Sequence, residues 1–488
     1  MSRFIPVQLQ SWTRGRLIQT VQNAGDAERH YTGVSKDTRT IKPHEVYVAL
    51  AGPHFDGHDF ALQAAELGAA MLVLQAGTKT ARQLQKRLES DDVTYDLLLV
   101  EDTLQAFQDI AFGYRQTLAA SVIGVTGSVG KTTTRRMIHC LVSPQMKAMQ
   151  TFANLNNEIG LSETLLNAQP EDQVLVTEIA MDRKGEIRKI SAIARPDIAV
   201  ITGIGYSHAE YLGSLHAIFQ EKTSIIDNMK DNALCIVNGD DAQLEAWACE
   251  KERKLPVWFI ASEQNTGRLE REGFPVFWAE DIVLRKDQTA FTARSSFASE
   301  QRWPVVIPEP GRHLIPAALF GLAAAYALGL DMKSAADAAS QFENTGNRQK
   351  VMMANGMTLI DDSYNASPES MRAALEVLSL IRESGRSVAV IGGMRELGRF
   401  SEAEHIALAK MILEHSVDRV FLIGEEARPV YEYLADFMAA EDVAFLPDLH
   451  SLIDMVRLAV RPGDTVLIKG SRLFELEKVT AALTEVVA

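Results

Sequence analysis

Cysteine is scarce: three in 488 residues, Cys140, Cys235 and Cys249, without CxxC spacing and far from any His-rich cluster. That excludes a disulfide framework and a zinc knuckle, and it fits buried thiols in the reducing cytoplasm. Positive charge is in deficit, 49 Lys and Arg against 64 Asp and Glu, for a formal net charge of −15. A nucleic acid or an anionic membrane surface needs a basic footprint, so neither is an expected partner. A nucleotide needs only a local cradle of N–H groups and one or two cations, so it stays open. A long apolar run is also missing. The longest uncharged one, Leu314 to Leu330, falls short of the roughly 20 residues of a spanning helix and contains Pro316. It reads as a buried helix, so no integral membrane protein is expected. The opening residues, MSRFIPVQLQSW, have no apolar core and no small-residue cleavage site, so no signal peptide is expected.

What is present is an ordinary globular balance, 47% hydrophobic and 23% charged. The length suits about three domains of roughly 150 residues. Residues 1–102 alternate short strands and helices: EVYVAL (45–50) as a strand, FALQAAELGAAMLVLQ (60–75) as helix, glycine stop and strand. A helix from about Thr103 to Leu118 leads into SVIGVTG. In 103–340, DQVLVTEIA (172–180) and DIAVITGIG (197–205) are near-continuous apolar strands, as in a parallel sheet covered on both faces. From about Glu250 to Arg302 the alternation is hairpin-like with low helix propensity. In 341–488, MTLIDDS, SVAVIGG, RVFLIG and DTVLIKG are strands separated by helical segments, a doubly wound unit. The fold class expected is α/β throughout.

The strongest local signal is GVTGSVGKTTT (124–134). A strand delivers the chain to a glycine-rich turn and a helix follows. Successive N–H groups of Gly127, Ser128, Gly130, Lys131, Thr132 and Thr133 can wrap phosphate oxygens, with the helix N-terminus adding positive potential. Lys131 would contact the terminal phosphates and Thr132 would place its hydroxyl on magnesium. The spacing departs from the general pattern GxxxxGK[ST], since Val125 stands five before Gly130 and Gly124 one further back. Such a loop indicates nucleotide binding without saying what the phosphate energy drives.

Further segments follow in order: NLNNEIGLSETLL (154–166), EIAMDRKGEI (178–187), GIGYSHAEYLGS (203–214), DDSYNASPESMRAAL (361–375), VIGGMRELG (390–398) and VLIKGSR (466–472). With TGSVGKTTT they resemble the Mur ligase family, and the C-terminal ones resemble its dipeptide-adding member. SKDTRTIKPHEVYVALAGPHFDGHDF (35–60) resembles the family's uridine-nucleotide domain. The resemblance covers nearly the whole chain.

It implies three domains: a UDP-substrate-binding domain (1–102), a central P-loop ATPase-like domain (103–340) and a C-terminal Rossmann-like domain (341–488). It implies an ATP-dependent amide ligase that joins D-alanyl-D-alanine to a UDP-muramoyl-peptide through an acyl phosphate, in peptidoglycan precursor synthesis. The chain is expected to act as a cytoplasmic monomer. Magnesium needs hard oxygen ligands; Thr132 and Glu178 are candidates by position. The resemblance adds His208 as ligand of a second metal and Lys222, in FQEKTSII, as a carbamylated lysine. By the same resemblance Arg348 reaches the nucleotide, and Asp362, Tyr364 and Asn365 meet the γ-phosphate and incoming amine. Asp37, Thr38 and Arg39 would hold uridine, and Asn156, Asn157 and Thr164 the sugar–peptide.

The pattern departs in places. The family's GxHNxxN is GRHLIPA (311–317) here, with Leu314 and Ala317 at the asparagine positions. Ser224 replaces the glutamate of KxEI, Gly393 the aspartate of GDMxELG, and Gly203 the asparagine of NIG. Weaker adenine discrimination is expected. Two alternatives stay open: a paralogue that joins another amine or carboxylate by the same chemistry, and a catalytically inactive nucleotide-binding homologue.

Overall fold

The structure, a computed structural model, describes residues 3–20, 29–88, 93–250, 255–344 and 346–485. Three larger sheets succeed one another along the chain. The first has five strands in the order Arg16–Ile18, Asp96–Val100, Met71–Gln75, Val46–Val48 and Val34–Ser35, parallel except for the first. Met71–Gln75 and Asp96–Val100 are almost wholly buried because helices cover both faces. Helix Thr103–Thr117 closes one face. Its N-cap Asp102 accepts the Gln105 N–H at 2.9 Å, a cap worth about 1 kcal/mol.

The second sheet has nine strands: Trp303–Ile307, Thr289–Ser295, Val276–Leu284, Val257–Ala261, Leu234–Asn238, Ile198–Ile201, Ser121–Thr126, Val174–Glu178 and Ala148–Gln150. The last seven run parallel; the first two add an antiparallel edge. Ser121–Thr126 is flanked by Val174–Glu178 and Ile198–Ile201, so three strand C-termini open side by side into one crevice, the place where such sheets bind ligands. One face is covered by helices Lys131–Val142 and Leu314–Ala327, the other by Glu158–Asn167 and Glu186–Ala194. The apolar run from Leu314 is thus a buried helix. Pro316 lies in its first turn, where its missing N–H has no intrahelical partner to lose. Among the described residues no helix is long and apolar enough to cross a membrane.

The third sheet orders Lys350–Ala354, Met357–Asp362, Thr465–Lys469, Ser387–Gly392, Arg419–Ile423 and Val443–Leu446. The four expected strands are its centre. Two edge strands, Lys350–Ala354 and Val443–Leu446, were not expected from the sequence; both are only partly buried, and their apolar runs are just four residues long. The polar stretch after Glu250 does contain a hairpin, Val276–Leu284 with Thr289–Ser295, but also a helix, Glu263–Arg271. That helix buries only Thr266 and Leu269, so its apolar face is too narrow to register as a period.

Candidate active site

The phosphate loop is built as its sequence demands. Gly127 and Gly130 have φ of 144° and 84°, and a Cβ on Gly127 would lie 2.0 Å from Thr202 Oγ1. Gly130 caps helix Lys131–Val142. Lys131 Nζ folds back to the Gly127 carbonyl at 2.9 Å, closing the ring that a phosphate would enter. The loop's other side is tied down. Ser128 donates its N–H to the Gly203 carbonyl at 2.9 Å, and its hydroxyl exchanges hydrogen bonds with Gly205. The Glu369 carboxylate from helix Pro368–Ile381 packs against Gly205, so a Cβ there would displace it.

Glu178 ends its strand beside the loop. The Thr132 hydroxyl donates to Glu178 Oε2 at 3.0 Å, and the Asn156 carboxamide donates to Oε1 at 3.0 Å. The Thr151 hydroxyl accepts the Glu178 N–H at 3.1 Å. Arg135, one turn beyond Lys131, brings its Nε to 3.4 Å of Oε2. Thr132 and Glu178 are therefore adjacent hard oxygens, the kind of donor set magnesium takes together with phosphate oxygens. Among the described residues no group of three His, Cys, Asp or Glu is arranged to hold a metal by itself.

Lys222, near the end of helix Leu215–Thr223, is fully buried, and its Nζ has no hydrogen-bond partner. Burial, reinforced by the Lys131 charge, holds its pKa well below the ordinary lysine value; Glu221, Asp182 and Glu178 oppose this. Glu221 is spent elsewhere: its carboxylate accepts the N–H groups of Gly185 and Ile187 at 2.7 and 3.0 Å, at the start of helix Glu186–Ala194. Lys131 is also held below its usual value by desolvation, with Glu178 opposing and Arg348 assisting. The C-terminal Arg348 thus stands close enough to be felt at the phosphate loop. Its guanidinium stacks 3.9 Å from the Tyr364 ring centroid. Asp362 is paired with Lys469 Nζ at 2.7 Å, and the same amine donates to the Asn365 carbonyl at 2.9 Å.

His208 lies in a turn with φ 63°, its Nδ1 2.7 Å from Glu396 Oε2 and 3.8 Å from Asp182 Oδ1. The N-terminal segments converge on Tyr47. Its hydroxyl donates to the Gly57 carbonyl at 2.9 Å, and burial with the charges of Asp37 and Asp56 pushes its pKa up to about 12. Asp37 is held down to about 2, chiefly by hydrogen bonds from Arg39, whose side chain is otherwise solvent-exposed. Thr38 lies between them. His58 of DGHDF is a brace: Nδ1 faces Asp56 at 2.6 Å and Nε2 accepts the Gln75 N–H at 2.9 Å.

Lys131, Thr132, Glu178, Asn156, Lys222 and Arg348 are thus brought together. Thr133 follows on the partly exposed side of its helix. Asn157 and Thr164 are committed to helix Glu158–Asn167: the former caps the Gly160 N–H at 2.9 Å, and the latter is buried with its hydroxyl on the Gly160 carbonyl at 2.8 Å. Sequence reasoning missed Arg135, Glu221, Glu396 and Lys469. Lys469 left a trace, a lone cation ending an apolar strand, and Arg135 another, a charge four residues after Lys131. Leu314 and Ala317 are buried in the core formed with Met137, Ile138 and Leu141. Gly393 packs so tightly that a Cβ would meet Glu426 Cβ at 2.8 Å, so an aspartate would not fit this backbone without a shift.

Three family descriptions match in chain order: "Mur ligase family, catalytic domain" over residues 30–115, "Mur ligase middle domain" over 125–325, and "Mur ligase, glutamate ligase domain" over 347–472. The UDP-N-acetylmuramoyl-tripeptide–D-alanyl-D-alanine ligase of Bacillus subtilis (strain 168) is 32% identical over 455 residues, 93% of each chain. The enzyme of that name from Escherichia coli (strain K12) is 32% identical over 458 residues, again 93% of each. A crystal structure of MurF from Acinetobacter baumannii superposes with TM-score 0.81 at 26% identity, covering 99% of this chain and 98% of that one. MurF ligase from Thermotoga maritima in complex with ADP gives 0.76 at 26%, covering 93% and 97%.

Proposed function

The chain belongs to the Mur ligase family, and on that premise we propose that it joins D-alanyl-D-alanine to UDP-N-acetylmuramoyl-tripeptide with ATP. The observation that carries this reading is the span of the similarity. It covers 93% of the chain, so it includes both the uridine-type segments around Asp37 and Tyr47 and the C-terminal segments around Asp362 and Glu396. Those are the parts that must differ when the acceptor or the amine differs. The same reading places the chain in the cytoplasm, where ATP is supplied.

In this reading a carboxylate oxygen of the acceptor attacks the γ-phosphorus, ADP leaves, and an acyl phosphate results. The dipeptide amine then adds to the acyl carbon, the tetrahedral intermediate expels phosphate, and the amine proton is lost. No bond to the protein forms, so the chain contributes position and charge. Gly127 to Thr132 cradle the phosphates and Lys131 offsets the charge that builds on the transferred group. Thr132, Glu178, His208 and a modified Lys222 would hold magnesium, which would supply charge neutralisation for the phosphates. Lys222 suits the modification: a buried amine without a hydrogen-bond partner, its pKa lowered by burial, is biased toward the neutral form that can add to carbon dioxide, forming an N–C bond and releasing one proton to give an anionic carbamate. Arg348 and Tyr364 come from the C-terminal unit to the nucleotide, and closure of that unit excludes water from the acyl phosphate. Asp37, Thr38 and Arg39 hold the uridine end and Asn156 the sugar–peptide.

A second reading, a paralogue with another amine donor, is favoured by Leu314 and Ala317. The test is ligation itself. Protein, ATP, magnesium and UDP-muramoyl-tripeptide are incubated with D-alanyl-D-alanine or with single amino acids, and products are read by mass. Product with the dipeptide is expected. Product only with a single amino acid, or only with an acceptor lacking UDP, would move the chain to the second reading.

A further inference from the structure

One contact between the C-terminal and central units is made by a residue with no part in the chemistry above. Glu396 lies in the loop after strand Ser387–Gly392. Its Oε2 is 2.7 Å from His208 Nδ1, and its carbonyl accepts the Glu210 N–H at 2.9 Å. One residue of the C-terminal unit therefore grips the His208 turn with both side chain and backbone.

The two residues that meet there share an unusual backbone. His208 has φ 63° and Glu396 φ 65°, left-handed conformations that are uncommon outside glycine and that histidine tolerates better than glutamate does. Strain of this kind persists only where surrounding contacts impose it, and it concentrates at functional sites. On the Glu396 side those contacts are explicit. Gly393 N–H donates to the Ile423 carbonyl, Met394 N–H to Nε2 of the buried His405 at 3.0 Å, and Arg395 N–H to Ser471 Oγ at 2.9 Å, while the Arg395 guanidinium pairs with Glu426 at 2.7 Å. On the His208 side, Ser207 Oγ donates to the Ser128 carbonyl of the phosphate loop at 3.2 Å, and the Tyr206 ring lies 4.7 Å from Phe400. A rigid C-terminal loop is thus joined, through one turn, to the phosphate cradle.

We infer that Glu396 is the positioning residue for His208, fixing its imidazole with the proton on Nδ1 and the lone pair on Nε2 whenever the C-terminal unit is docked. A carboxylate offers only acceptors, so with Oε2 2.7 Å away a bare lone pair on Nδ1 would be repelled and the protonated Nδ1 is the favoured form. A carboxylate behind a histidine ligand is the usual device for setting its tautomer and orientation. Here the carboxylate comes from the other unit, so docking and metal binding at His208 are coupled. Without Glu396 the nearest replacement is Asp182, 3.8 Å away and largely exposed. The inference rests on His208 being a metal ligand in the reading above.

The test uses the full chain with Glu396→Ala, Glu396→Gln and His208→Ala. Mn2+ binding with a non-hydrolysable ATP analogue is followed by electron paramagnetic resonance, and small-angle scattering reports docking. Glu396→Ala should weaken the His208-dependent Mn2+ site about tenfold, expand the particle, and lower kcat more than it raises KM for ATP. Glu396→Gln keeps an acceptor oxygen and should recover most of each effect. Adding His208→Ala to Glu396→Ala should cost nothing further, as for two members of one unit. Wild-type Mn2+ binding and scattering in Glu396→Ala would overturn the inference, as would losses that glutamine does not rescue and that add to those of His208→Ala. A wild-type chain that makes no ligated product yet shows the expected Mn2+ and scattering differences would remove the functional reading and leave the coupling in place.

Discussion

Among the described residues two lysines are wholly buried, one in the central unit and one in the C-terminal unit, and they are buried differently. Lys469 ends the strand Thr465–Lys469 with its amine on the Asp362 carboxylate and the Asn365 carbonyl. Lys222 Nζ has no hydrogen-bond partner among the described residues. A buried cation that is paired is structure: its charge is matched where it sits. A buried amine without a partner carries an uncompensated desolvation cost, and it escapes that cost by staying neutral. The price of that neutrality is stability, and the return is a nucleophilic amine beside the phosphate loop.

The largest effect that can break the comparison is on turnover. Lys222→Ala should lower kcat by about 10²- to 10³-fold, the range for removing one group that stabilises transition-state charge. Short added carboxylates should restore part of it by standing in for the carbamate. Lys222→Met should unfold in denaturant no earlier than the wild type, because no hydrogen bond is lost. Near-normal turnover, or a large loss of stability in Lys222→Met, would place Lys222 with Lys469. The mirror experiment is Lys469→Met, which leaves Asp362 buried without its cation. A loss of about 3–5 kcal/mol is expected in equilibrium unfolding, and Asp362→Asn in the same chain should return part of it. A loss under about 1 kcal/mol would deny Lys469 its structural role.

A smaller effect sharpens the comparison at a third enclosed group. His313, whose Nδ1 has no partner, is pushed down to about 4 by burial and by the charge of Lys469. Its folded value lies below the unfolded one near 6.5, so the unfolded chain takes up the proton first as pH falls. Its contribution is intact above pH 6.5 and is lost on the way down to pH 4, by up to about 3 kcal/mol. His313→Gln should remove that part of the acid slope in denaturant titrations between pH 7 and pH 4; an unchanged slope would mean that other groups set it. The smallest effect concerns the base. With Leu314 and Ala317 in the core, ATP and GTP should support turnover within about tenfold of each other. Strict ATP dependence would show that other residues read the base.

The sequence made the phosphate loop legible because everything it needs is local: a β-branched strand, glycines where φ is positive, a helix behind. Glu178 was legible for the same reason, at the end of an apolar strand. Lys222 was not. In FQEKTSII it reads as a solvated helix lysine, and only the family resemblance singled it out; its burial comes from packing against distant elements. Glu396 stood inside the quoted segment VIGGMRELG, but its role was not legible, since an acidic residue in a loop says nothing until His208 is beside it. Asn157 and Thr164 carried the resemblance, yet in the structure they serve the start of a helix. The helix Glu263–Arg271 was missed because little apolar surface marks it, and the strands Lys350–Ala354 and Val443–Leu446 because their apolar runs are only four residues long.

The central claim is that this chain forms an amide through an acyl phosphate. It is tested most directly by preparing UDP-muramoyl-tripeptide with 18O in its terminal carboxylate and incubating it with the protein, ATP, magnesium and D-alanyl-D-alanine. The masses of the amide product and of the released phosphate are then read. The account predicts the ligated pentapeptide together with phosphate carrying one 18O atom from the acceptor. Unlabelled phosphate alongside the product, or label-free phosphate release with no product, would contradict it.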